Sequence, residues 1–103
     1  MIKTRFWFEL ATKGHSASLA KVAYMPFLVP KDYPFTISLD DDGEITLIGD
    51  DAPSFDLTRM ELSVCLGVHK ERDESEWQET LAACGRAGWE TFEDEYKRLH
   101  PEE

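Results

Sequence analysis

Leu57–His69, LTRMELSVCLGVH, is the stretch whose reading decides the fold. Thr58, Met60, Leu62, Val64, Leu66 and Val68 fall on one parity, and Arg59, Glu61, Ser63, Cys65, Gly67 and His69 fall on the other. A period of two is the pattern of a half-buried strand, because successive side chains point to opposite faces of a sheet. The apolar parity needs a cover, and the next segment supplies one. Within Ser75–Leu99, the residues Trp77, Leu81, Cys84, Gly88, Phe92, Tyr96 and Leu99 recur every three or four positions, the spacing of one helical face. A sheet covered by an amphipathic helix is an α+β arrangement.

Working outward, Ile2–Ala11 alternates in the same way: Ile2, Thr4, Phe6, Phe8 and Leu10 are apolar or β-branched, and Lys3, Arg5, Trp7 and Glu9 lie between them. A turn around Gly14 follows. Ala17–Met25 fits either a returning strand, with Ala20, Val22 and Tyr24 on one parity, or a short helix capped by Ser16; the strand fits slightly better. Met25–Phe35 holds three prolines, which predicts an extended edge or loop, with its apolar residues closing the core. Phe35–Leu39 and Glu44–Ile48 flank Asp40-Asp41-Asp42-Gly43 as a β-hairpin, and Gly49–Phe55 forms an acidic loop. Ser75 and Gln78 form a capping-box start for the C-terminal helix. Gly85 and Gly88 each cost a helix about 1 kcal/mol relative to Ala, and Thr91-x-x-Asp94 could begin a second one. The expected architecture is therefore a single α+β domain over residues 1–103: a mainly antiparallel sheet of four or five strands, with a C-terminal helix, kinked or split near Gly85–Gly88, packed on one face.

Charge is the strongest functional signal. The chain of 103 residues carries a net charge of −10. Met1–Leu39 holds five Lys and Arg against two acids, a balance of +3, which leaves −13 for Asp40–Glu103. Between Asp40 and Asp56 there are seven carboxylates (Asp40, Asp41, Asp42, Glu44, Asp50, Asp51 and Asp56) and no Lys or Arg. Such a field repels phosphate backbones and anionic membrane surfaces and attracts basic proteins. Helix acids are partly offset, since Glu93 with Lys97 and Asp94 with Arg98 are spaced for i,i+4 pairs. The N-terminus lacks the pattern of a signal peptide, and no segment approaches the apolar length of a membrane span. A cytoplasmic protein with Cys65 and Cys84 reduced is expected.

Residues with catalytic or metal-binding chemistry form no recognisable constellation. If Gly43 is set at the sixth position of an EF-hand loop, Ser38 falls at the first and Gly49 at the twelfth, so both required carboxylates are missing. His15, His69, His100, Cys65 and Cys84 show no zinc spacing, and the six glycines are too dispersed for a phosphate loop. Cys65 and His69 are too far apart along a flat strand to pair, and Cys84 lies on the apolar helix face. No metal, no cofactor and no enzymatic activity are expected.

By size and charge, the expected function is a small acidic protein-binding module. It would inhibit a basic, nucleic-acid-handling protein, as an immunity protein does a nuclease toxin or as phage anti-restriction and anti-CRISPR proteins do their targets. Asp40, Asp41, Asp42, Glu44, Asp50 and Asp51 would supply the attraction, and Tyr33 or Trp89 an aromatic anchor. The alternatives are a small-molecule site between sheet and helix lined by Trp7, Tyr24, Trp77 and Tyr96, and a structural component joined through the proline-rich stretch.

Overall fold

The alternation in Ile2–Thr12 creates two faces of different chemistry, and the tertiary structure uses both. The chain runs β1 (Ile2–Thr12), β2 (His15–Met25), β3 (Pro34–Ser38), β4 (Glu44–Ile48), β5 (Ser54–Asp56), β6 (Glu61–Lys70), α1 (Glu74–Arg86), β7 (Glu90–Thr91) and α2 (Phe92–Leu99). The structure, a computed structural model, describes residues 1–39, 43–49 and 52–102. Five strands form one sheet in the order β5-β6-β1-β2-β7, and β3 and β4 form a separate two-stranded sheet. Residues 17–25 are strand, the better-fitting of the two sequence readings.

The main sheet is mainly antiparallel, as expected, with five strands, but one of its four pairings is parallel, so the sheet is mixed. β1 pairs antiparallel with β2 through the two-residue turn at Lys13 and Gly14, but parallel with β6. Parity reports which face a side chain takes and is blind to strand direction, so the pattern could not distinguish the two pairings. The hairpin is corrected as well, because β3 and β4 do not extend the main sheet. Phe35, Ile37, Ile45 and Leu47 turn inward and pack over its apolar face, where Phe35 meets Phe6 edge to face at 4.9 Å.

Thr4, Phe6, Phe8 and Leu10 are all buried on that face, together with Leu19 of β2 and Leu62, Val64 and Leu66 of β6. The deciding stretch begins its strand later than its pattern predicts. Leu57–Met60 is a turn in which Asp56 Oδ1 accepts from the N–H groups of Thr58 at 2.8 Å and Arg59 at 3.0 Å, and Met60 lies at φ +54°. Its alternation also breaks at Gly67. Trp7 opposes Cys65 but Glu9 opposes Val68, so one extra residue of β6 is accommodated opposite Phe8. Gly67 takes φ +88°, the bulge turns Val68 out of the apolar face, and Val68 is exposed.

The C-terminal segment is split into two helices rather than continuous. The cap of α1 lies two residues before the predicted Ser75, at Asp73, whose side chain accepts from the Glu76 N–H at 2.8 Å. It ends in a Schellman arrangement: the N–H of Gly88, at φ +96°, bonds the Gly85 carbonyl, and the N–H of Trp89 bonds the Cys84 carbonyl. Lys21 Nζ adds a bond to the Ala87 carbonyl at 2.8 Å. The reversal drops Trp89 into the core against Phe8. Thr91 then caps α2 by accepting from the Asp94 N–H, as the Thr91-x-x-Asp94 spacing suggested. α1 covers the apolar face, where Trp77 Nε1 donates to the Leu10 carbonyl; α2 lies on the opposite face.

Two glycine substitutions with opposite signs test this backbone account. Gly67→Ala forces a side chain into the left-handed region and should destabilise by about 1–2 kcal/mol in urea unfolding. Gly85→Ala is helical, with open space around the added methyl, and should stabilise by about 0.5 kcal/mol. Equal effects from the two would contradict the bulge.

Candidate functional site

On the second face of the sheet, β1 presents Lys3, Arg5, Trp7 and Glu9, and α2 lies against it through an aromatic and an ionic contact. Phe92 packs edge to face on Trp7 at 5.9 Å, and the Arg5 guanidinium sits 4.8 Å from the Phe92 ring centre. Arg5 Nε and Nη2 donate to Glu95 Oε2 and Oε1 at 3.0 and 2.7 Å, a two-pronged pair whose members are both nearly covered. The Arg5 bonds hold the Glu95 carboxyl below its ordinary value of 4.5 against the opposing effect of burial, and the fields of Arg5, Arg59 and Arg98 add to this.

α2 contacts the β2 side of this face, and beside it lies a cleft of about 370 Å³. Four cations line it, Lys3, Arg5, Arg59 and Arg98, against two carboxylates, Glu61 and Glu95, with Val22 and Leu99 as apolar flanks. The pairings are unequal. Arg5 and Glu95 satisfy each other, and Arg98 donates Nε and Nη2 to Glu90 Oε1 at 3.0 and 2.6 Å, beside the cleft. Glu61 is only 4% exposed and serves two cations, Lys3 at 3.5 Å and Arg59 at 3.7 Å. Asp56, Glu61's partner across β5 and β6, has one oxygen committed to the backbone of the Leu57–Met60 turn, and those bonds hold its carboxyl below the ordinary range. In a chain of net charge −10, the cleft is locally positive.

The residues predicted to bind a partner fare differently. Asp40, Asp41, Asp42, Asp50 and Asp51 lie outside the described residues. Glu44 is exposed on the outward face of β4. Tyr33 is 38% exposed, with its ring against Phe27 and Phe35. Trp89 is 8% exposed and packs on Phe8 at 5.0 Å, so its ring belongs to the core and is not presented to a partner. The aromatic pocket is not formed either. Trp7 and Trp77 lie on opposite faces of the sheet, and Tyr24 and Tyr96 are more than half exposed. The structure does hold a concave site between sheet and helix, but charged residues line it. Its members are scattered from position 3 to 99, and the one sequence trace of them is the placement of Lys3, Arg5 and Glu61 on the polar parities of two strands.

The thiol and imidazole groups do not converge. The bulge at Gly67 sends Cys65 to the face of Trp7 and His69 to the face of Leu10. His69 Nε2 and Thr80 Oγ1 both bond Glu71 Oε1 at 2.9 Å, which ties β6 to α1. Cys84 is fully buried, and burial with the nearby Glu71 charge pushes its thiol up to about 11. Among the described residues no three of His, Cys, Asp and Glu are arranged to hold a metal ion, and no helix is long and apolar enough to cross a membrane. Comparison with known proteins found no matching family model, no similar curated protein and no similar solved structure.

The Arg5–Glu95 pair generates two expectations. Arg5→Met strands a buried carboxylate and should cost about 3 kcal/mol, while Arg5→Met combined with Glu95→Leu should cost clearly less. Because Glu95 is lowered on folding, its contribution is fully present above pH 4.5 and is lost as pH falls through its folded value. Stability measured between pH 6 and about pH 3 should therefore fall less steeply for Glu95→Gln than for the wild type.

Proposed function

We propose that the protein is a small binding module that docks on a basic protein through its acidic stretch, Asp40–Asp56, and inhibits it by occupying a surface made for nucleic acid. The observation that carries this reading is the segregation of charge, seven carboxylates without a Lys or Arg in a chain of −10. The way the flanking strands are held adds to it. Ile37, Ile45 and Leu47 are buried, so β3 and β4 are anchored by one face, while Thr36, Ser38, Glu44 and Thr46 point outward. Glu44, the carboxylate on the described hairpin strands, is held on an anchored strand and loses less freedom on binding than one on a free tail, and a concentrated negative field accelerates encounter with a basic surface. Tyr33, at the rim of the same region, is the aromatic residue left to act as an anchor, since Trp89 is buried. The partner is of the class met by immunity proteins and by anti-restriction or anti-CRISPR inhibitors, a reading that rests on size and charge alone.

Salt and charge removal test the proposal together. Association with a basic partner should weaken steeply as NaCl rises from about 50 to about 500 mM, because exposed charges are screened over a Debye length. Replacing Asp40, Asp41 and Asp42 by Asn should slow association about tenfold and leave the dissociation rate nearly unchanged. The same triple variant should release the partner's nucleic-acid binding from inhibition at matched concentrations. Capture that is indifferent to both salt and the triple substitution would overturn the docking role.

A further inference from the structure

We propose that the cleft between the sheet and α2 binds a small carboxylate ligand with a short apolar body, its carboxylate between Lys3 and Arg59 and its body against Val22 and Leu99. Local charge is the first argument. With Arg5 satisfied by Glu95 and Arg98 by Glu90, Glu61 is one carboxylate between two cations, so the lining residues and their ion-pair partners keep a surplus of a single positive charge, with Asp56, bonded to the turn backbone outside the lining, in the field of Arg59. A monoanion neutralises that surplus. A dianion would bring excess negative charge against Glu61 and Glu95, at a cost that rises where water is partly excluded.

Geometry is the second argument. The side chains of Lys3 and Arg59 are 41% and 47% exposed, and both lie beyond hydrogen-bonding distance of Glu61, at 3.5 and 3.7 Å. Their donors remain available to a ligand, and Arg59 offers the planar fork that matches a carboxylate. Arg59 is also held at its backbone, where its N–H bonds Asp56 Oδ1. Val22 and Leu99, 37% and 47% exposed, give the flanks apolar surface that no neighbour fully covers. A volume of about 370 Å³ lies at the small end of ligand sites and suits a body of a few carbons.

The test is a titration of the wild-type protein followed by amide NMR, with acetate, hexanoate and inorganic phosphate at constant ionic strength. Hexanoate should give saturable shifts at residues 3, 22, 59 and 99, and should bind about tenfold more tightly than acetate because its chain is partly buried. Phosphate should bind more weakly than hexanoate. Replacing Lys3 and Arg59 together by Gln should abolish saturation, whereas Lys13→Gln, outside the cleft, should leave it intact. Glu61→Gln removes the competing carboxylate and should tighten hexanoate about threefold or more; a merely structural ion cluster would show no such gain. Shifts that fail to saturate or scatter over the surface, phosphate that binds more tightly than hexanoate, or a Glu61→Gln variant with unchanged affinity would each overturn the assignment. The wild-type titration decides even if a variant does not fold.

Discussion

β1 is hydrogen-bonded along both edges, antiparallel to β2 and parallel to β6, and each remaining element reaches its place through that three-stranded unit. The parallel pairing is the constraining step. β2 follows β1 through a tight turn, but β6 can lie parallel to β1 only after the chain has made the long excursion through β3, β4 and β5. Closing so long a loop is entropically unfavourable until apolar contacts reward it, and the reward lies on one face: Phe6, Phe8 and Leu10 against Leu62, Val64 and Leu66. The bulge at Gly67 reconciles two strands of unequal residue count across that core without losing the pairing beyond it, where Leu10 still opposes His69.

The two faces of the sheet are closed by different physics. The apolar face is filled by α1, Trp89 and the inward side of the hairpin, so its cohesion is hydrophobic burial. The other face is closed at its β2 side by α2, an eight-residue helix with a strongly charged sequence and one buried residue, Glu95. Such a helix has little apolar surface to contribute, and its attachment depends on the Arg5–Glu95 pair and the Trp7–Phe92 contact. The cations gathered there by β1, the Leu57–Met60 turn and α2 leave a positive cleft in an acidic protein, whereas the sequence between Asp40 and Asp56 holds seven carboxylates and no Lys or Arg. The two proposed binding roles thus draw on opposite signs of charge.

Much of the secondary structure was legible because each element satisfies its own local rule. The alternation of Ile2–Ala11, the hairpin strands and the Thr91-x-x-Asp94 cap all appear where the pattern sets them. The start of α1 is less legible, because Asp73-x-x-Glu76 and Ser75-x-x-Gln78 are both acceptable caps by local rules, and the structure uses the first. The candidate site was far less legible. Its residues come from β1, β2, β6, the turn before β6 and α2, and no spacing rule links positions so far apart in the chain.

The sequence by itself determined the two faces of β1, those of β6 as far as Leu66, the charge imbalance, and the residues that can cap or interrupt the C-terminal segment, because these follow from one residue's stereochemistry or from its near neighbours. Tertiary structure alone decided the rest. Whether β6 runs with or against β1, that the hairpin covers the sheet instead of extending it, that Trp89 turns into the core, and that Glu61 ends between Lys3 and Arg59 are all relations between segments distant in the chain. Their energies depend on the burial and pairing of groups brought together only by folding, and an alternating pattern carries no record of its partner's identity or direction.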